Sequence, residues 1–246
     1  MDVALLALAG CGTALATGLG ALPVSRLGEH AHTLRPALWG LTVGLMTVAS
    51  IVGLLIPALD EGSTAAVAAG LAVGVAFLLV SRRVLEDRNV HVGELSGAGV
   101  RRSVLVFAVL LVHSLPEGFA IGTAYASETE GLGLFVILAI ALQNIPEGTS
   151  VAIPMETAGF PPRQQFWAAV LTSAPQPVGA VLAYLLVEHV EGLLPFSFGF
   201  AAGAMLCLVA VELAPQAFRR GTVRLSLAGT GIGTALMLLL AALLGV

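Results

Sequence analysis

Apolar runs of about twenty residues recur along the whole chain, and they constrain its fold more than any other feature, because a helix needs about that length to cross a bilayer core. Hydrocarbon offers the backbone no water, so each N–H and C=O must be satisfied within a helix or a closed barrel. The alternating pattern of barrel strands, about ten residues long, is absent, and each run therefore reads as a helix. Hydrophobic residues make up 57% of the 246 and charged residues only 11%, which excludes an ordinary soluble domain.

Breaks at charges, Pro-rich turns and Gly clusters divide the chain into spans 2–22, 37–57, 64–81, 103–125, 131–155, 164–187, 196–217 and 225–245. The expected fold is an all-α integral membrane bundle of eight helices forming one transmembrane domain over 1–246. The first span opens with Asp2, lacks a basic leader and is too long for a signal-peptide core, so it reads as a helix of the mature chain.

Arginine sets the orientation. The chain has no lysine, and all eleven arginines fall between spans one and two, three and four, five and six, or seven and eight. The positive-inside rule puts those four loops in the cytoplasm and both termini outside. One missed or invented span would scramble this alternation. The opposite face carries acids, Asp2, Asp60, Glu61, Glu128, Glu130, Glu188 and Glu191, which either concentrate cations there or simply mark loops without basic residues.

A net charge of −4 and short loops argue against a nucleic-acid partner and against a soluble domain. The longest cytoplasmic loop, 82–102, reads as a connector. Cys11 and Cys207 fall inside spans, where they read as small hydrophobes rather than a disulfide.

Polar residues stand in the middle of spans four and five. Span four contains His113-Ser114-Leu115-Pro116-Glu117-Gly118, and span five contains Gln143-Asn144-Ile145-Pro146-Glu147-Gly148. His113 with Glu117, and Gln143 with Glu147, are i,i+4 pairs on one helix face. If the two helices face each other, four polar ligands converge. An ionisable group at bilayer depth costs about 2.5–3.5 kcal/mol on insertion scales, so a duplicated pair signals function more than it signals interhelical glue. Two carboxylates require a divalent cation or protons to neutralise them, and metal and protons therefore compete for this site. Imidazole with carboxylate suits zinc, iron, manganese or cadmium better than magnesium or calcium. Pro116 and Pro146 each remove a backbone hydrogen bond and are expected to kink their helices.

With these two motifs, and with GLTVGLMTVASIVGLLIPAL at 40–59 and AAGAMLCLVAVELAPQA at 201–217, the chain resembles the ZIP (zinc- and iron-regulated transporter-like) metal transporters, particularly their prokaryotic GufA-like branch. The resemblance implies a multi-pass carrier of the plasma membrane, surrounded by lipid and paired as a homodimer. Its substrate would be Zn2+, with Cd2+, Fe2+ or Mn2+ as alternatives, moved toward the cytoplasm by spans one, four, five and six shifting against two, three, seven and eight. It implies a metal held by His113, Glu117, Gln143 and Glu147, with Met46 of span two as a further ligand. A second, adjacent metal position would involve Ser114, Asn144 and Gln176, but this chain has neutral groups where the family often has acids. That position is expected to bind weakly or to serve only in transit.

Glu212, near the cytoplasmic end of span seven, reads as a salt-link or accessory acid, with Arg219 and Arg220 close in sequence. Glu29, His30 and His32 in the first cytoplasmic loop are candidates to receive departing metal. Two other classes of function compete with transport. An intramembrane metalloprotease needs H-E-x-x-H, whereas His113 and Glu117 are spaced H-x-x-x-E with no second histidine a turn away. A metal sensor needs an output domain, which the sequence does not contain.

Overall fold

A computed structural model describes residues 3–27, 29–87, 98–190 and 192–246, with the side chains of 25–32 and 86–106 outside that description. Eight helical spans among the described residues are long and apolar enough to cross a bilayer, and none of those residues forms a strand. In order they are Val3–Val24, Thr33–Asp60, Thr64–Leu85, Phe107–Ala126, Leu132–Thr157, Pro162–His189, Leu193–Ala217 and Val223–Leu244, hereafter spans one to eight.

Several helices run further than the apolar runs that announce them. The third continues to Asp87 and the fourth begins at Ala98, so most of the expected 82–102 connector is helical at its two ends, and 88–97 lies outside the described residues. Helical hydrogen bonding does not stop where the hydrocarbon does. Span six, read as one helix over 164–187, is instead two, Pro162–Thr172 and Pro175–His189. Pro175 and Pro177 cannot donate backbone hydrogen bonds across the junction, which accounts for the break at Ser173 and Ala174.

Spans two and seven share another irregularity. The backbone opens to i→i+5 hydrogen bonds at Ile51–Leu55 and Val209–Leu213, and in each case a proline follows two residues later, Pro57 or Pro215. Within the wider turn of span seven, the Val211 carbonyl accepts a hydrogen bond from Arg82 Nη1 at 3.2 Å.

Helices pack in four close pairs: one with five, two with eight, three with seven, and four with six. The driving force is contact rather than exclusion of water, so the pairs meet where side chains are smallest. A Cβ on Gly118 of span four would clash with the Gln176 carbonyl of span six, and one on Gly148 of span five with the Thr17 carbonyl of span one. Gly40, Gly44, Gly229 and Gly233 play the same part between spans two and eight, as do Gly70, Gly74, Gly199 and Gly203 between three and seven. Two sets of four helices result, spans one, four, five and six, and spans two, three, seven and eight. The sets touch where Gly53 meets Phe135, where Phe119 meets Phe200 edge-on at 5.3 Å, and where Gly131 approaches the Leu244 carbonyl. At the acidic face, Glu61 accepts hydrogen bonds from Ser127 at 2.8 Å and Thr129 at 3.2 Å, linking a connection of one set to a connection of the other.

Replacing Gly118 with Leu should lower stability by about 1–3 kcal/mol through overpacking. Gly12→Ala, whose added Cβ meets nothing within 4 Å, should be neutral or mildly stabilising. Thermal unfolding of the purified proteins compares the two, and a Gly118→Leu protein as stable as the parent would refute the close-packing account.

Candidate metal centre

Spans four and five do face each other. His113 and Glu117 sit one turn apart on span four, and Glu147 approaches them from span five. His113 Nε2 lies 3.4 Å from Glu147 Oε2 and 3.8 Å from Glu117 Oε1. One ligand atom from each of the three residues falls within 4.8 Å of the others, and all three side chains are buried. Both helices run unbroken through Pro116 and Pro146, so each motif remains helical.

The surrounding hydrogen bonds determine which lone pairs face the centre. His113 Nδ1 is directed at the Val109 carbonyl at 3.4 Å, an acceptor, so Nδ1 carries a ring proton and Nε2 is the ring nitrogen that faces the two carboxylates. Glu117 accepts from Gln143 Nε2 through Oε1 and from Gln176 Nε2 through Oε2, each at 2.7 Å. His113 Nε2, Gln143 Oε1 and Glu147 Oε1 have no hydrogen-bond partner although all three are buried. Buried acceptors without donors are costly, at about 1–3 kcal/mol each and more for charged groups. Ligand atoms converging from three residues fit a divalent cation, and imidazole with carboxylates is the donor set that zinc, cadmium, iron and manganese accept.

The other expected ligands divide. Gln143 is in the cluster, where its amide nitrogen braces Glu117 and its oxygen is unpartnered. Met46 is fully buried in the main apolar core with Val43, Leu45 and Ile140. The methionine that shares a small void with His113 is Met205 of span seven, together with Pro116, Ala204 and Leu208. Met205 lies within the apolar run of span seven, where nothing in sequence distinguishes it from core packing.

Asn144 and Gln176 lie next to Glu117 but are occupied with each other. Asn144 Nδ2 donates to Gln176 Oε1 at 3.1 Å, and Gln176 Nε2 donates to Asn144 Oδ1 at 3.3 Å. Ser114 does not join them, because its hydroxyl donates back to the Leu110 carbonyl at 2.9 Å. Thr13 of span one, which no sequence motif marks, does join, donating to Gln176 Oε1 at 2.7 Å.

From Glu147 a cavity of about 460 Å3 extends along Ser150 and Pro154 to Arg35, Arg82 and Arg219, at the arginine-bearing end of the bundle. Glu212 lines it, with its carboxylate 3.5 Å from Arg82 Nη1 and accepting from Gln216 at 2.7 Å. The partner of Glu212 is thus Arg82 of span three rather than its sequence neighbours Arg219 and Arg220. The side chains of Glu29, His30 and His32 lie outside the described residues.

Comparison with known proteins agrees with these features. The family model described as ZIP Zinc transporter matches residues 85–241. The chain is 35% identical to the zinc transporter GufA of Myxococcus xanthus, an alignment covering 94% of this chain and 95% of that protein. It is 33% identical to the zinc transporter ZIPB of Bordetella bronchiseptica, over 94% of this chain and 78% of that one. A plant relative from Arabidopsis thaliana is 34% identical over 90% of this chain, which spans only 36% of the plant protein's length.

Proposed function

The chain belongs to the ZIP zinc transporter family and is a multi-pass membrane transporter of metal ions, and we propose that it carries zinc into the cytoplasm through a single intramembrane site formed by His113, Glu117, Gln143 and Glu147. One observation carries this reading: buried ligand atoms from spans four and five converge without hydrogen-bond partners at the end of a cavity that opens toward the arginines. By the positive-inside rule that is the cytoplasmic side. The cavity therefore represents the release path of an inward-open state, with Glu212 along its wall. Cadmium, iron and manganese suit the same donors.

A single site follows from the amides of Asn144 and Gln176. They bring no charge to the adjacent position, and their hydrogen bonds to one another compete with any ion there. Met46 and Met205 both lie in the apolar core, and Ser114, whose hydroxyl is bonded to the Leu110 carbonyl, takes no part. Movement of spans one, four, five and six against the other four rests on the family resemblance, and the glycine packing is consistent with it in that it joins one to five, two to eight, three to seven and four to six, each pair within one set. We assign the protein to the plasma membrane and to a homodimeric form on the family resemblance, and nothing in the site calls for enzymatic chemistry.

Zinc uptake into proteoliposomes should fall at least about tenfold in Glu117→Gln and in Glu147→Gln, since even indirect supports of metal ligands are worth that much. Uptake at the parental rate in either variant would refute the site. Metal and protons share His113 and the two carboxylates, so zinc affinity should drop as the pH is lowered, and binding should release protons. Calorimetry in buffers of different ionisation enthalpy reads that release, and binding with no proton release near neutral pH would contradict the assignment.

A further inference from the structure

The hydrogen-bond directions around Glu117 originate outside spans four and five. A primary amide can present either end to a neighbour, and only a partner that is strictly a donor or strictly an acceptor decides which. The main-chain carbonyl of Thr13 is an acceptor, and it takes Asn144 Nδ2 at 2.7 Å. The same nitrogen donates to Gln176 Oε1 at 3.1 Å, and the Thr13 hydroxyl donates to that oxygen at 2.7 Å. With its oxygen occupied, Gln176 presents nitrogen to Glu117 and donates to Oε2 at 2.7 Å. A reversed Gln176 amide would set its oxygen against the carboxylate and its nitrogen against two donors. Thr13, Asn144, Gln176 and Glu117 are each at most 1% exposed, so bulk water does not compete for these groups.

We propose that Thr13 is a positioning residue for the metal site, acting through Gln176 to hold the Glu117 carboxylate in place toward His113. It does so from span one, whose register against span six is fixed in addition by a 2.6 Å hydrogen bond between Thr17 and Ser173. The Thr13 hydroxyl has a single proton, shared between Gln176 Oε1 and the Gly10 carbonyl at 2.8 Å. Deleting it removes one donor from Gln176 and leaves the Thr13 carbonyl and Asn144 as they are. The effect on metal binding should therefore be that of one buried hydrogen bond, and it should vanish when Gln176 cannot transmit it.

The inference rests on the assignment of metal to His113, Glu117 and Glu147. Zinc titration of the purified full chain by calorimetry tests it with Thr13→Val, Thr13→Ala, Thr13→Ser, Gln176→Leu and the Thr13→Val/Gln176→Leu double variant. Thr13→Val and Thr13→Ala should weaken zinc about three- to tenfold, and Thr13→Ser, which restores the hydroxyl, should bind like the parent. Added to Gln176→Leu, Thr13→Val should cause no further loss. Parental affinity in the Val and Ala variants, or the full loss recurring in the Gln176→Leu background, would overturn the positioning role. Absence of zinc binding in the parent would overturn the site assignment, and this inference with it.

Discussion

Two carboxylates buried side by side in hydrocarbon set the terms for the rest of the molecule. Glu117 and Glu147 are almost fully buried, and a charged group at such depth survives only with a cation, a proton or strong donors around it. Two amide donors, Gln143 and Gln176, reach Glu117, whereas one oxygen of Glu147 and the facing nitrogen of His113 have none. The protein thus braces one carboxylate with its own amides and leaves the other facing the His113 imidazole. This asymmetry explains how a site can be held in shape between ions and still attract a divalent cation when one arrives.

Bracing Glu117 requires span six to come very close to span four, and the chain achieves this by removing side chains. Gly118, the residue after Glu117, admits the backbone at Gln176, and Gly148, the residue after Glu147, admits span one at Thr17. Gly118 therefore does the packing that brings Gln176 to Glu117, and Gly148 brings in span one, which carries Thr13. The break in span six has a related consequence, because it starts a new helix at Pro175 and sets Gln176 one residue inside it. At the arginine-bearing end, Arg82 spans the Val211 carbonyl and Glu212, so the irregular turn in span seven forms part of the cavity wall and carries an acid.

Much of this was legible in the sequence. Membrane solvation makes each apolar run a helix, so the eight spans follow directly, and the i,i+4 spacing of His113 with Glu117 brings them to one helix face. That spans four and five meet was a condition the spacing alone did not meet, and packing supplied it. The i→i+5 turns in spans two and seven were not legible, since a proline in an apolar run can be absorbed by a kink, a break or a wider turn. Thr13 was hidden because threonine in such a helix ordinarily bonds its own backbone, as Thr42 and Thr47 do. Met46 and Met205 are equally plausible as gap-fillers, and only the three-dimensional arrangement places Met205 beside His113.

The account stands or falls on where the metal sits. Anomalous scattering from crystals soaked in zinc or cadmium locates it directly. The strongest peak should lie between spans four and five, within about 2.0–2.2 Å of His113 Nε2 and of carboxylate oxygens of Glu117 and Glu147 for zinc, with no comparable peak between Asn144 and Gln176. A strongest peak at the outer acids, or along the arginine-lined cavity with the His113 cluster vacant, would contradict it.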